Sequence, residues 1–116
     1  MSIFDRFFGR GAPTPARSAP RPPPRPLLKP DGTPYELALY GYESCPYCRR
    51  VERTLAQLGI EVERRNTMRD RRHRDDLIDA TGRGTVPCLF IDGAPMHESA
   101  DIIRWLRARS EEQPAR

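Results

Sequence analysis

The stretch that decides the fold is Leu37-Ala38-Leu39-Tyr40-Gly41-Tyr42-Glu43-Ser44-Cys45-Pro46-Tyr47-Cys48. Its first half, within Glu36 to Tyr42, reads as a strand; from Pro46 onward Val51, Leu55 and Leu58 recur at helical spacing. Two cysteines separated by two residues therefore fall at a strand-to-helix turn, with Cys45 at the helix N-terminus. There the unpaired backbone N–H groups and the positive end of the helix dipole favour a thiolate over a thiol. Proline at the first helical position has no N–H to lose. The pattern reads as a redox pair for thiol–disulfide exchange.

Metal is the rival reading. A structural zinc site takes four ligands. Beyond Cys45 and Cys48 the chain offers only His73, Cys88 and His97, without paired spacing, so no metal is expected. A purely structural Cys45–Cys48 bridge closes too small a loop to restrict the unfolded chain much.

Length and charge bound the rest. The 116 residues make one small domain. The net charge of +4 sits entirely in residues 1 to 34, where Arg6, Arg10, Arg17, Arg21, Arg25 and Lys29 face only Asp5 and Asp31. The remaining body is neutral, so a nucleic-acid-binding fold is not indicated. Nine of the thirteen prolines also fall in residues 1 to 34. That segment is expected to be a disordered, extended tether, with the domain at 35 to 110 and a short tail at 111 to 116. At the start, Ile3, Phe4, Phe7 and Phe8 form an amphipathic turn pattern that suggests either a docking peptide, residues 3 to 8, or a terminus that frays or folds back on the body. No apolar run suits a signal peptide or a membrane span, and a reducing cytoplasm is the expected compartment.

Along the body, Gly59 ends the first helix at about Leu58, and Ile60 to Arg64 alternates as a half-buried strand does. A second helix is expected from Arg69 to about Thr81, with Leu77, Ile78 and Ala80 inward and Gly82 as its cap. Val86 to Ile91 is an apolar strand, Asp92-Gly93 a hairpin turn, and Pro95-Met96 a short return strand. Ser99 is expected to cap a third helix that turns Ile102, Ile103 and Leu106 to the sheet. The order β-α-β-α-β-β-α predicts an α/β fold: a small sheet flanked by helices, with the reactive group at the first strand-to-helix turn.

Cys45-Pro46-Tyr47-Cys48, followed some forty residues later by Thr85-Val86-Pro87 and then by a helix-capping segment, resembles the glutaredoxins of the thioredoxin fold over about residues 35 to 109. The resemblance implies a mixed four-stranded sheet. Two departures stand out: Tyr42 lies where many glutaredoxins have lysine, and His97-Glu98-Ser99-Ala100-Asp101-Ile102 replaces a Gly-Gly-x-Asp segment. Glu-Ser before x-Asp-Ile is instead similar to the glutathione-binding segment of glutathione transferase N-terminal domains. Both lineages imply glutathione as co-substrate.

The resemblance further implies an enzyme that reduces protein–glutathione mixed disulfides and protein disulfides, with Cys45 as a solvent-facing nucleophile and Cys48 as the shielded resolving thiol. Glu43 is expected to oppose the Cys45 thiolate. The family places glutathione against Tyr47, Arg74, Val86 with a cis Pro87, Glu98 and Ser99. Apart from Val86 and Pro87, each has a plainer reading: a surface aromatic for Tyr47, a solvated helix face for Arg74, a helix cap for Glu98 and Ser99. Cys88 reads most simply as a small buried apolar residue. The expected partners are glutathione and glutathionylated or disulfide-containing proteins, acting on a monomer. Two other functions compete. One is a glutathione transferase, which needs a helical second domain, whereas about seven residues follow Arg109 in this sequence. The other is an iron–sulfur carrier held by Cys45 of two subunits and two glutathiones, which the family resemblance disfavours because proline follows Cys45.

Overall fold

The computed structural model describes residues 23–113. β1 (Leu37–Gly41) leads into α1 (Pro46–Leu58), followed by β2 (Glu63–Asn66), α2 (Arg71–Thr81), β3 (Cys88–Ile91), β4 (Ala94–His97) and α3 (Ser99–Glu111). The β-α-β-α-β-β-α order is the expected one. The four strands form a mixed sheet in the order β2-β1-β3-β4, β1 and β2 being parallel and the other neighbours antiparallel.

Strand side chains alternate between faces, and β1 uses both. Leu37 and Leu39 join Leu89, Val51 and Leu55 of α1, and Ile102 and Leu106 of α3, in the larger core. Ala38 and Tyr40 turn the other way, onto Leu77 of α2 and Cys88. Two helices thus cover one face and one covers the other. Burying both sides of β1 explains why its sequence reads as a continuous apolar run.

Several boundaries differ from the sequence reading, each for a local reason. α2 starts at Arg71, because the Asp70 carboxylate accepts the Arg72 N–H at 2.9 Å and caps the helix there. Ala80 is exposed, Ile78 half-buried and only Leu77 fully buried on that helix. The β3 ladder begins at Cys88, after Pro87, which has no N–H to offer it. β2 pairs with β1 only from Glu63, while Ile60 bridges to Arg25. Ser99 is the first residue of α3 and not its cap; that position belongs to Glu98, which makes no side-chain capping bond. The Asp92-Gly93 hairpin turn is as expected, with both residues at positive φ.

The expected tether through Pro34 is the largest correction. Residues 23 to 34 lie on the domain. Arg25, set between Pro24 and Pro26, donates its N–H to Gly59 O at 3.0 Å and accepts from Glu61 N at 2.8 Å. Proline removes donors only at its own positions, so an extended proline-rich strand can still pair through the residue in between. Leu27 is 2% exposed and belongs to the larger core. Leu28 exchanges two hydrogen bonds with the Gln113 amide, and Lys29 pairs with Asp92 at 3.0 Å. The domain therefore runs from this strap to at least Gln113, beyond the expected 35 to 110. The expectations for residues 1 to 22, including docking by residues 3 to 8, and for residues 114 to 116 lie outside the described residues. No helix among the described residues is long and apolar enough to cross a membrane.

Candidate functional site

The sheet register gathers the sequence-predicted residues at one end. β1 finishes at Gly41 opposite Asn66 of β2, and Tyr40 lies opposite Cys88 of β3, which in turn lies opposite His97 of β4. The turn to Cys45, the loop from Asn66 to α2, the Val86-Pro87 peptide and Glu98-Ser99 all project from that edge.

Cys45 is the N-cap of α1, and its sulfur accepts the Cys48 N–H at 3.3 Å. Expected to face solvent, Cys45 is in fact only 6% exposed; Cys48, one turn in, is 3% exposed. Burial, and secondly a hydrogen bond with Cys45, pushes the Cys48 thiol up to about 12. The pair thus has one sulfur supplied with an N–H donor and one that keeps its proton at neutral pH.

Gly41 is a residue that sequence reading passed over. A Cβ built there would stand 2.8 Å from the Cys48 sulfur. The bare backbone at the end of β1 is therefore what leaves room for the second thiol. A glycine ending an otherwise apolar strand was the available signal.

Glu43 does not oppose Cys45 as an unpaired charge. Its carboxylate meets Arg69 Nη2 at 2.7 Å and lies 3.4 Å from the Asn66 amide nitrogen. These partners come from the β2–α2 loop, which Thr67 N–H holds to Gly41 O at 3.0 Å.

Val86-Pro87 is cis, as the resemblance implies, with Pro87 buried and Val86 packed against the smaller core. Arg74, exposed on α2, reaches this loop: a Cβ on Gly84 would lie 3.9 Å from its Nε. Tyr47 is 58% exposed on the first turn of α1. Glu98 is exposed and Ser99 buried at the start of α3. Glu98 carries φ 73 and ψ 109, a conformation glutamate rarely adopts outside a turn. Backbone strain of this kind clusters at ligand sites. Cys88 is fully buried, its sulfur 3.8 Å from His97 Nε2, and burial pushes its thiol up to about 11. That setting suits the packing role read from sequence.

The comparisons bear on this site. Residues 39–114 match the family described as the glutathione S-transferase N-terminal domain. Glutaredoxin 3 of Escherichia coli (strain K12) is 35% identical over 56 residues, which are 48% of this chain and 68% of that protein. The chain belongs to the thioredoxin-fold family of glutaredoxins and glutathione transferase N-terminal domains. Among solved structures, a glutathione transferase homolog from Drosophila mojavensis with bound glutathione superposes with a TM-score of 0.57 at 26% identity. It covers 66% of this chain, but the chain spans only 36% of that protein. A thioredoxin-like protein at 22% identity aligns over 99% of its own length with a TM-score of 0.56, which speaks for the fold. The glutaredoxin and transferase matches agree with the thioredoxin fold that the sequence implies.

Proposed function

We propose that this chain is a glutathione-dependent thiol–disulfide oxidoreductase. The observation that carries the reading is the register itself: one sheet end holds Cys45 at a helix start, the cis Pro87 peptide and the strained Glu98-Ser99 helix start. The nucleophile and the proposed glutathione contacts then belong to one end of the sheet.

In this reading the Cys45 thiolate attacks the glutathione sulfur of a protein–glutathione mixed disulfide. The S–S bond breaks, the protein leaves as a thiolate, and Cys45 carries the glutathionyl group. A second glutathione, as thiolate, attacks that group, releasing oxidised glutathione and restoring Cys45. In the dithiol branch Cys48 loses its proton and attacks Cys45, expelling glutathione thiolate and leaving a Cys45–Cys48 disulfide for two glutathiones to reduce. Because Cys48 is pushed up to about 12, it is a poor independent nucleophile at neutral pH, and the first attack falls to Cys45.

The family resemblance and the geometry support the ligand assignments. The Val86 backbone would pair with the cysteinyl part of glutathione beside cis Pro87, while Arg74 would take the glycine carboxylate. Glu98 and Ser99 would take the γ-glutamyl end, and Tyr47 would line the cleft. Ser99 suits a ligand role, since it is the first residue of α3 and does not hold the N-cap position. The proposal includes a reducing compartment.

A coupled assay with glutathione, glutathione reductase and the cysteine–glutathione mixed disulfide tests the reading. Cys45→Ser should abolish turnover, whereas Cys48→Ser should keep deglutathionylation and lose protein-disulfide reduction. No turnover by the unmodified protein would overturn the proposal, and the reverse pattern would exchange the two roles.

A further inference from the structure

The two most exposed large apolar side chains among the described residues, Tyr47 at 58% and Met68 at 73%, both stand at the Cys45 end of the sheet. Met68 is not exposed through lack of anchorage. Its N–H and that of Arg69 both donate to Asn66 Oδ1 at 2.9 Å, and the loop is further tied by Arg69 to Glu43. A solvent-facing thioether on a tied backbone is an adaptable apolar contact held ready at the surface.

Beside Met68 lies an open hollow of about 370 Å³, lined also by Thr67, Arg71, Arg74 and Asp75. The neighbouring cations Arg69 and Arg72 are neutralised by Glu43 and Asp70. Arg71 and Arg74 have no ion-pair partner among the described residues; with Arg74 assigned to the glycine carboxylate of glutathione, the Arg71 guanidinium remains available. The fold offers no stability reason for them. The first turn of α2 holds Arg71, Arg72, His73 and Arg74 and no acid, although the helix dipole disfavours cations at that end.

Resting on the glutathione-dependent reading above, we infer that this rim docks the polypeptide flanking the mixed disulfide of a protein substrate. It selects a segment with an apolar side chain, which sits on Met68, next to a carboxylate, which meets Arg71. Asp75 in the same hollow sets the limit, because it would repel a longer acidic run. Tyr47, on the α1 side, supplies the second apolar contact. The surface adds no chemical step; it raises the local concentration of suitable disulfides at Cys45.

The test uses the full chain and three substrates: the cysteine–glutathione disulfide, and two glutathionylated peptides that differ only in Asp-Leu or Lys-Leu flanks. The acidic peptide should show roughly tenfold higher kcat/KM at low salt, the gap closing as salt is raised. Arg71→Glu should erase or invert that preference, leave the small disulfide unchanged and not lower the melting temperature. A merely structural arginine would give the opposite on the last two counts. Met68→Ser should weaken both peptides several-fold through KM and spare the small disulfide. Turnover of the small disulfide without discrimination between the peptides would overturn the docking surface alone, as would equal losses on all three substrates in the Arg71 variant. No turnover of the small disulfide would overturn the enzymatic reading and the docking surface with it.

Discussion

The two ends of the sheet are built on opposite principles. At the end where β1 begins, a strap and a turn are tied to the sheet. Glu36 and Asp92 exchange backbone and side-chain hydrogen bonds at 2.8 Å, Lys29 pairs with Asp92, and Leu27 closes the core beneath the strap. At the end where β1 finishes, the fold leaves things open: the thiols of the Cys45–Cys48 pair, a strained Glu98, Arg71 and Arg74 without an ion-pair partner among the described residues, and exposed Tyr47 and Met68. The closed end stabilises and the open end holds the candidate chemistry, so substitutions should separate stability from activity according to the end they touch.

The largest effect on stability should come from the closed end. Leu27→Ala removes a buried side chain from the main core and should cost about 2 to 5 kcal/mol, read by denaturant unfolding. Activity per folded molecule should persist. A cost within experimental error would mean that the strap contributes nothing to the core and that the contrast between the ends is false.

At the open end, Gly41→Ala places a methyl group on the Cys48 sulfur. Overpacking costs about 1 to 3 kcal/mol, and displacement of one thiol should slow protein-disulfide reduction roughly tenfold or more. Deglutathionylation through Cys45 alone should hardly change. Equal losses in both assays would indicate general damage and not a specific effect on Cys48.

The smallest expected effect is at Glu98. Glycine accepts the positive φ without strain, so Glu98→Gly should leave the melting temperature unchanged or raise it, by up to about 1 kcal/mol of stability. The Michaelis constant for glutathione should rise several-fold through loss of the γ-glutamyl contact. Unchanged glutathione kinetics would reduce Glu98 to a helix boundary.

Much of this was legible in the sequence where information is local. The strand and helix around Cys45, the Gly59 and Gly82 helix ends and the Asp92-Gly93 turn follow from periodicity and backbone preference. Proline density misled the reading of residues 23 to 34, because composition reports what a segment cannot donate and not what lies beside it. The pair Leu27-Leu28 among the prolines was the available clue. Ser99 was misplaced by one residue, since a serine before a helical run signals a cap whether or not Glu98 takes that position.

By itself the sequence determined the element order, the cysteine pair at a helix start and the family, because these depend on short motifs, each made of residues close together in the chain. Only the tertiary structure decided that Glu43 is neutralised by Arg69, that Cys48 rests against the bare backbone of Gly41, and that Leu27 belongs to the core. Each of these joins residues on different elements, or across a turn, through strand register and packing. Local pattern carries no record of such contacts until the sheet brings the segments together.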